Sequence, residues 1–420
     1  MMRILKYSLK GNPAGNQVII IIIILIFNLI FCQSPVNGQA SSAVSQNIRL
    51  VDYSEIQAGA DRTELYFPLL AGKSIGIVCN HTSLVRGVHL LDTLVNAGYD
   101  VKTVFAPEHG FRGGKEAGSD ITDETDSRTG VHIVSLYGMK KAPSAVDLAA
   151  IDLLIFDIQD VGVRFYTYIS TLSLVMKSAA GQGIPVIVLD RPNPNGFYVD
   201  GPVLDTAFRS FVGMHPVPVV YGMSIGEYAR MINEEGWAGD SLCDLTVIPM
   251  SGYDHNMIVK LPVKPSPNLP NWKSVYLYPS LCFFEGTIIS VGRGTDFPFE
   301  IIGHPEYVIG SFLFMPRRIP GVAEQPPFEG LQCYGHNLAG YADRFADSNE
   351  RRINLFWLIG MYNFFKDKND FFTVYFDKLA GTDKLRKDII SGMSEDEIRK
   401  SWEEGLSSFR KTRGKYLLYP

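Results

Sequence analysis

The sequence has 420 residues, enough for two domains of ordinary size with a sizeable core. Its formal net charge of −5 and the absence of a basic block argue against a nucleic-acid footprint. Five scattered cysteines, with no CxxC or Cys/His cluster, leave no zinc motif, and spacing assigns no disulfide.

In chain order the first predicted element is an export signal. Arg3, Lys6 and Lys10 precede an apolar run over 18–32 that only Asn28 interrupts. The run is short for a membrane span, and the Ser, Asn and Gln residues after it carry no stop-transfer charge cluster. Small residues around 36–40 suit peptidase cleavage, so residues 1–40 read as signal and leader of an exported, periplasmic product. Cys32 raises a lipoprotein alternative, but Phe31 is bulky where a small residue is expected before a lipidated Cys. An uncleaved anchor is the other alternative.

From Lys73 onward, apolar runs at 75–79, 101–106, 132–136, 153–157, 186–189 and 245–248 alternate with helical spacing at 88–97, 144–149, 172–182 and 225–235. Strands apolar on consecutive positions suit a sheet covered on both faces, and the alternation predicts parallel strands with right-handed crossovers. The expected fold is therefore α/β, with a Rossmann-like domain over 45–275. No dinucleotide comes with it: Asn80-His81-Thr82-Ser83 follows the first strand where GxGxxG would be needed, and no cofactor is expected. A Pro-rich connector over 261–270 breaks the alternation. Beyond it a smaller α+β domain is expected over 276–420, opening with 276–287 and containing helices around 355–365 and 395–410. Ser394 and Glu397 have the spacing of a capping box.

Four polar constellations stand at the ends of these elements. The run 101–106 delivers Glu108 and His109 into a glycine-bounded turn, where ligands of an open α/β sheet collect; a salt-bridged loop is the plainer reading. A carboxyl partly buried beside aromatics can act as a general acid near neutrality, with His109 orienting it or touching substrate. The eight histidines form no HxH or HExxH, and no metal is expected. Asp157, inside an apolar strand, is costly unless paired, so it and Asp160 belong to a hydrogen-bond network or an active site, with Arg164 the obvious partner. Asp190-Arg191-Pro192-Asn193-Pro194-Asn195-Gly196 offers amides suited to sugar hydroxyls, though the same residues build turns unaided. Glu285 follows two aromatics, and Gly292-Arg293-Gly294-Thr295 presents a cation able to hold a carboxylate. Tyr166, Tyr168, Tyr276 and Tyr278 either line a sugar platform or belong to the core. Together these describe an interdomain cleft with several carboxylates, the requirement of glycoside hydrolysis.

The blocks Gly76-Ile77-Val78-Cys79-Asn80-His81-Thr82, Ala106-Pro107-Glu108-His109-Gly110, Phe156-Asp157-Ile158-Gln159-Asp160-Val161-Gly162-Val163-Arg164-Phe165-Tyr166-Thr167-Tyr168, Leu189-Asp190-Arg191-Pro192-Asn193-Pro194, Glu285-Gly286-Thr287 and Gly292-Arg293-Gly294-Thr295 closely resemble those of the NamZ-type exo-β-N-acetylmuramidases, in family order. The resemblance implies a Rossmann-like domain, a smaller carboxy-terminal domain, and release of terminal N-acetylmuramic acid from the non-reducing ends of peptidoglycan fragments. It carries the family's proposed active-site glutamate over to Glu108. The lactyl carboxylate of N-acetylmuramic acid calls for a cation, with Arg293, Arg164 and Arg191 as candidates, and Asn80, His109, Tyr168 and Asn193 complete the expected substrate-contacting set. The second catalytic group is then Glu285, Asp157 or the substrate's own acetamido oxygen oriented by Asp160. The expected partners are muramyl saccharides, and a non-catalytic exported muropeptide-binding protein is the alternative. In one departure, Cys79-Asn80-His81-Thr82 stands where relatives often have Thr-Asn-Gln-Thr.

Overall fold

The predicted alternation closes into one seven-stranded sheet in the computed structural model, which describes residues 47–107, 111–112, 124–346, 348, 350–367 and 370–420. The export signal and leader expected over 1–40 lie outside these residues. The first half contains β1 (Arg49–Asp52), α1 (Thr63–Leu70), β2 (Ser74–Cys79), β3 (Leu84–Val85), β4 (Val88–His89), α2 (Leu90–Asn96), β5 (Asp100–Ala106), β6 (Glu124–Thr125) and β7 (His132–Ser135). It continues with α3 (Ala145–Leu148), β8 (Leu153–Asp157), α4 (Tyr168–Gln182), β9 (Val186–Leu189), α5 (Ile225–Glu234), β10 (Leu245–Ile248) and β11 (Met257–Lys260).

The large sheet has the order β10-β9-β8-β2-β5-β7-β6. Every neighbouring pair is parallel except β6 with β7. The chain enters at β2 in the middle, steps outward through β5 and β7, and then reverses to the other side of β2 through β8, β9 and β10. Such a reversal opens a crevice beyond the carboxyl ends of the two strands where the direction changes, here β2 and β8. All residues of β8 and β9 are buried, which is why their sequence shows no alternation. Ile75, Ile77, Val104, Ile155, Ile187 and Leu189 pack into the core beneath the strands. Among the described residues no helix is long and apolar enough to cross a membrane.

The expected opening segment 276–287 spans the end of a helix and the 3₁₀ turn after it. Helix α6 (Trp272–Leu281) starts behind Asn271, whose side chain accepts from the Lys273 and Ser274 N–H groups at 2.8 and 3.2 Å. Pro279 lies inside this helix and has no N–H for the carbonyl of Val275. That carbonyl accepts instead from Nδ2 of Asn195 at 3.1 Å, so the turn after β9 supplies the bond the proline removes. A 3₁₀ turn, Cys282–Gly286, leads to β12 (Ile301–His304), β13 (Phe312–Phe314) and β14 (Cys333–Asn337). They form an antiparallel sheet of order β12-β14-β13. Helices α7 (Ala339–Ala346), α8 (Phe356–Phe365), α9 (Phe376–Ala380), α10 (Lys384–Ile390) and α11 (Glu395–Arg413) complete the chain. Helix α11 opens with the capping box of Ser394 and Glu397.

The last residues return to the first half. The Leu418 N–H reaches the buried Glu227 carboxylate at 2.7 Å, and the Tyr419 hydroxyl donates to Asp190 at 2.5 Å. Tyr419 packs there with Val51, Met257 and Tyr253, beneath the two-stranded parallel sheet of β1 and β11.

Candidate functional site

The crevice is built first by a polar staple between the ends of β2 and β8. Asn80, fully buried, donates from Nδ2 to the Tyr168 hydroxyl at 2.9 Å, and its Oδ1 accepts from the Thr82 N–H and hydroxyl at 2.9 and 2.6 Å. Thr82 Oγ1 in turn accepts from the Gln159 N–H at 3.0 Å, and the Ser83 hydroxyl donates to the Asp157 carbonyl. Both ends of the Asn80 amide are thus spent on holding the loop and on Tyr168. His81, the departure in the first block, bonds through Nε2 to the Lys264 carbonyl of the Pro-rich connector at 2.8 Å.

Asp157 does not pair with Arg164. It is gripped bidentately by Arg191, Nε to Oδ1 at 2.5 Å and Nη2 to Oδ2 at 2.8 Å, with both residues buried. The remaining donors of Arg191 reach the Tyr53 hydroxyl at 3.1 Å and the Leu84 carbonyl at 2.9 Å. Burial works against the guanidinium, yet the Asp157 carboxylate beside it holds its pKa above the ordinary value. This pair crosses between the exits of β8 and β9. A nucleophile cannot be drawn from a carboxylate clamped in this way, nor a substrate-binding cation from Arg191, without breaking the pair.

Arg164 is also placed differently from expectation. It is fully buried and donates to four backbone carbonyls, Pro202 at 2.8 Å, Val217 at 2.7 Å, Leu379 at 3.1 Å and Ala380 at 2.6 Å. Leu379 and Ala380 close helix α9, where carbonyls lack helical partners and a cation is favoured. Arg164 is therefore a cap and cross-link rather than a group facing a ligand. Asn193 follows the turn reading. Its Oδ1 accepts from the Asn195 N–H at 2.8 Å, and its Nδ2 donates to the Met223 carbonyl at 2.8 Å. Gly162, at φ 76°, must be glycine here, since a Cβ would lie 2.0 Å from Asn193 Oδ1.

Asp160 differs from these. One oxygen, Oδ2, accepts from the Gly162 N–H at 2.6 Å and from the Tyr221 hydroxyl, while Oδ1 makes no hydrogen bond among the described residues. Burial pushes its pKa up to about 7, against the opposing pull of the Tyr221 hydroxyl and of the Gly162 and Val161 N–H groups. A buried carboxyl in this state can give or take a proton near neutrality.

A cavity of about 170 Å³ brings together Tyr168, Glu285 and Arg293 from the expected set. Tyr166 and Tyr168 come from the first half, Ser266 from the connector, and Tyr278, Glu285, Arg293 and Tyr375 from the second. Arg293 Nε donates to Glu285 Oε1 at 2.5 Å, and the guanidinium lies 5.1 Å over the Phe299 ring. The Cys282 thiol contacts the other carboxylate oxygen at 3.6 Å. Burial opposes the Arg293 charge, but Glu285 raises its pKa overall. The Arg293 side chain is 30 % exposed, and its hydrogen bond to Glu285 uses Nε, with no bond from its terminal nitrogens among the described residues. Cys79, Cys243, Cys282 and Cys333 are all buried free thiols.

Glu108 and His109 lie outside the described residues. On one side of them β5 ends at Ala106, beside β2 on the carboxyl edge of the sheet. On the other, Phe111 packs edge-on against His89 at 4.7 Å, and Arg112 pairs with Asp92 at 3.0 Å and Asp126 at 2.9 Å. Sequence reasoning missed Tyr221, Asp92 and Asp126. Asp92 sits in the first turn of α2, where an acid is ordinary, and nothing marked it as the partner of Arg112.

The family description Exo-beta-N-acetylmuramidase NamZ, N-terminal, matches residues 75–273, and its C-terminal counterpart matches residues 276–419. The peptidoglycan beta-N-acetylmuramidase NamZ of Bacillus subtilis (strain 168) is 38 % identical over 407 residues, covering 90 % of this chain and 95 % of the relative. A crystal structure of a DUF1343 family protein from Bacteroides fragilis NCTC 9343 has a TM-score of 0.79 and 44 % identity, covering 87 % of this chain and 99 % of that one. A second DUF1343 protein from the same organism has a TM-score of 0.72 at 26 % identity over the same shares. With matches to both halves of the family in order and a relative aligned almost end to end, the chain belongs to the NamZ exo-β-N-acetylmuramidase family.

Proposed function

We propose that this protein releases terminal N-acetylmuramic acid from the non-reducing ends of peptidoglycan fragments, with Glu108 as general acid. The observation that carries the reading is the cavity that joins Tyr168 to the Glu285–Arg293 pair in a chain of this family. A muramyl residue differs from its neighbour in the glycan by a lactyl carboxylate, and Arg293 offers a partly exposed guanidinium to such a group. In the reaction Glu108 gives its proton to the glycosidic oxygen as the bond to the anomeric carbon breaks. Water then adds to that carbon and returns a proton to the enzyme.

Two groups compete to support the positive charge on the sugar ring. Glu285 is the ion-pair partner of Arg293, while Asp160, whose Oδ1 has no hydrogen bond among the described residues, suits the orientation of an acetamido group that itself attacks. Asp157 is set aside because Arg191 occupies it. The test is Glu108→Gln assayed on para-nitrophenyl N-acetylmuraminide: loss of chromophore release in a folded variant is expected, and full activity rejects the assignment. A muropeptide-binding protein without catalysis predicts no turnover by the unmodified chain. Export through residues 1–40 is part of the same proposal, since the substrate lies outside the cytoplasm. Fractionation that leaves the full-length precursor inside the cell contradicts it.

A further inference from the structure

A second cavity, of about 490 Å³, is lined by residues 371–374 and by side chains from the ends of α8, α9 and α10. It shares no lining residue with the cavity of Glu285 and Arg293, but the two share a wall. The Thr373 N–H donates to the Gly286 carbonyl at 2.9 Å, and the Ile288 N–H to the Phe371 carbonyl at 3.1 Å. The segment 371–373 therefore runs against the three residues that follow Glu285. The approach is close, since a Cβ on Gly286 would lie 2.4 Å from the Phe376 Cα. Tyr375 lines the cavity of Glu285, while Thr373 and Val374 line its neighbour, and all three are exposed. Two residues of extended chain span at most about 7 Å, so the lining of one cavity gives way to that of the other over a short exposed ridge.

The lining of the second cavity has the chemistry of a sugar site. Tyr362 and Phe372 stack at 5.4 Å with their planes 28° apart, and both are only half-buried. Rings held in this way give the C–H face of a pyranose an apolar surface while its hydroxyls stay in water. Beside them Arg386 grips Asp377 through Nε and Nη2 at 2.9 and 2.8 Å, a planar polar edge next to the aromatic floor. At the rim Val374 is 92 % exposed and Ile390 51 %, apolar surface left in water. Aromatic walls with a few polar groups, at this volume, are what a small-ligand site requires. The cavity of Glu285, at about 170 Å³, is below the volume that encloses a whole ligand, so most of an oligosaccharide has to lie outside it.

We propose that the second cavity is an accessory saccharide site, which holds the reducing-side residues of a muramyl glycan while the terminal N-acetylmuramic acid occupies the cavity of Glu285 and Arg293. It rests on the muramidase reading given above. In a glycan that alternates muramyl residues with their neighbour, the second sugar beyond the cleaved bond is again muramyl. The exposed Lys366 at the edge of the cavity offers the carboxylate of that sugar a cation. Sugars that do not react then contribute binding energy, and a chain of several residues is a better substrate than a single one.

The experiment compares kcat/KM on para-nitrophenyl N-acetylmuraminide, which has one sugar, with that on a peptide-free tetrasaccharide bearing N-acetylmuramic acid at its non-reducing end. The parent should favour the tetrasaccharide, and Tyr362→Ala and Ile390→Glu should each lower the ratio of tetrasaccharide to muraminide by about 10-fold, through KM rather than kcat. Ile390→Glu changes an exposed side chain and sets an acid against the muramyl carboxylate, so it tests the site even where loss of the Tyr362 ring disturbs packing. An unchanged ratio in both variants overturns the accessory site. Equal loss on both substrates does the same, since it marks damage to the fold or to the catalytic cavity. A ratio that shifts only when the substrate carries a stem peptide assigns the cavity to peptide and overturns the saccharide. A parent inactive on both substrates fails the muramidase reading instead, and calorimetric titration with the tetrasaccharide then decides the site alone: weaker binding by Ile390→Glu supports it, and equal binding overturns it.

Discussion

Arg293 and Asp160 set the residue-scale expectations, because each has capacity left over after its local bonds are counted. Arg293 commits Nε to Glu285 and lies over Phe299. A charge-assisted hydrogen bond from its terminal nitrogens to a lactyl carboxylate is worth roughly 1.5–3 kcal/mol. Arg293→Gln should therefore weaken inhibition by N-acetylmuramic acid about 10- to 100-fold and leave inhibition by N-acetylglucosamine, which lacks the carboxylate, nearly unchanged. Equal weakening of both inhibitors rejects a role in reading the carboxylate. Asp160 has a second consequence, in stability. Its carboxyl is raised from 3.8 to about 7, and Asp190 from 3.8 to about 6, both by burial. The folded state then holds protons that the unfolded state has released, so the contribution of both groups is complete below pH 4. It declines as pH rises through their folded values, by at most about 1.4 kcal/mol per unit for each group. Asp160→Asn has no proton to lose, and denaturant midpoints at pH 4.5 and 7.5 should differ less in the variant than in the parent. An unchanged difference rejects the raised value.

Between elements, the Asp157–Arg191 pair joins the end of β8 to the turn after β9, and this is the link that gives the crevice a fixed shape. Removing one member leaves the other charge buried and unpaired, a cost of about 3–5 kcal/mol, while replacing both with apolar residues of similar size costs far less. Chemical denaturation should therefore show Asp157→Asn and Arg191→Met each strongly destabilising, and Asp157→Leu with Arg191→Met closer to the parent. Strict additivity would reject the coupling. The same elements show why part of the molecule was legible in the sequence. Strands β2, β8 and β9 are covered on both faces, and this appears directly as apolar runs at 75–79, 153–157 and 186–189. The second half gives no such signal. Its strands β12, β13 and β14 are three to five residues long, and Pro279 disguises α6, whose missing bond is supplied by Asn195 from the other half. Pairing was hidden for a related reason. Arg164 is seven residues from Asp157 in one sequence block, but strand and turn geometry send the two apart, and the true partner Arg191 is 34 residues away. The cavity residues Glu285 and Arg293 were legible as chemistry, an acid behind two aromatics and a cation between glycines, whereas their 2.5 Å contact depends on the fold.

At the scale of the whole molecule, Arg164, Asn195 and the tail around Tyr419 fasten the two halves together. Arg164 contributes most, since one guanidinium reaches Pro202 and Val217 on one side and Leu379 and Ala380 on the other. It carries its charge with no carboxylate partner among these bonds, and burial lowers its pKa to about 9. That cost is tolerated because the guanidinium supplies donors to carbonyls that include the two at the end of α9, where helical partners are lacking. Methionine at this position fills much of the same volume but donates nothing, so Arg164→Met should cost several kcal/mol, in the range of about 3–5 kcal/mol for a buried charged group with its hydrogen-bond partners left behind. The location makes a sharper expectation than the magnitude. With Arg164 in place, residues 164–217 and helix α9 hold each other, and calorimetry of the parent should show one unfolding transition. In Arg164→Met the second half, left with the Asn195 and Tyr419 ties, should separate into an earlier transition of its own, and exchange of amide hydrogens near α9 should rise before those of β8 and β9. A single transition shifted as a whole, with exchange rising equally throughout, would show that the clamp stabilises the fold without coupling its halves.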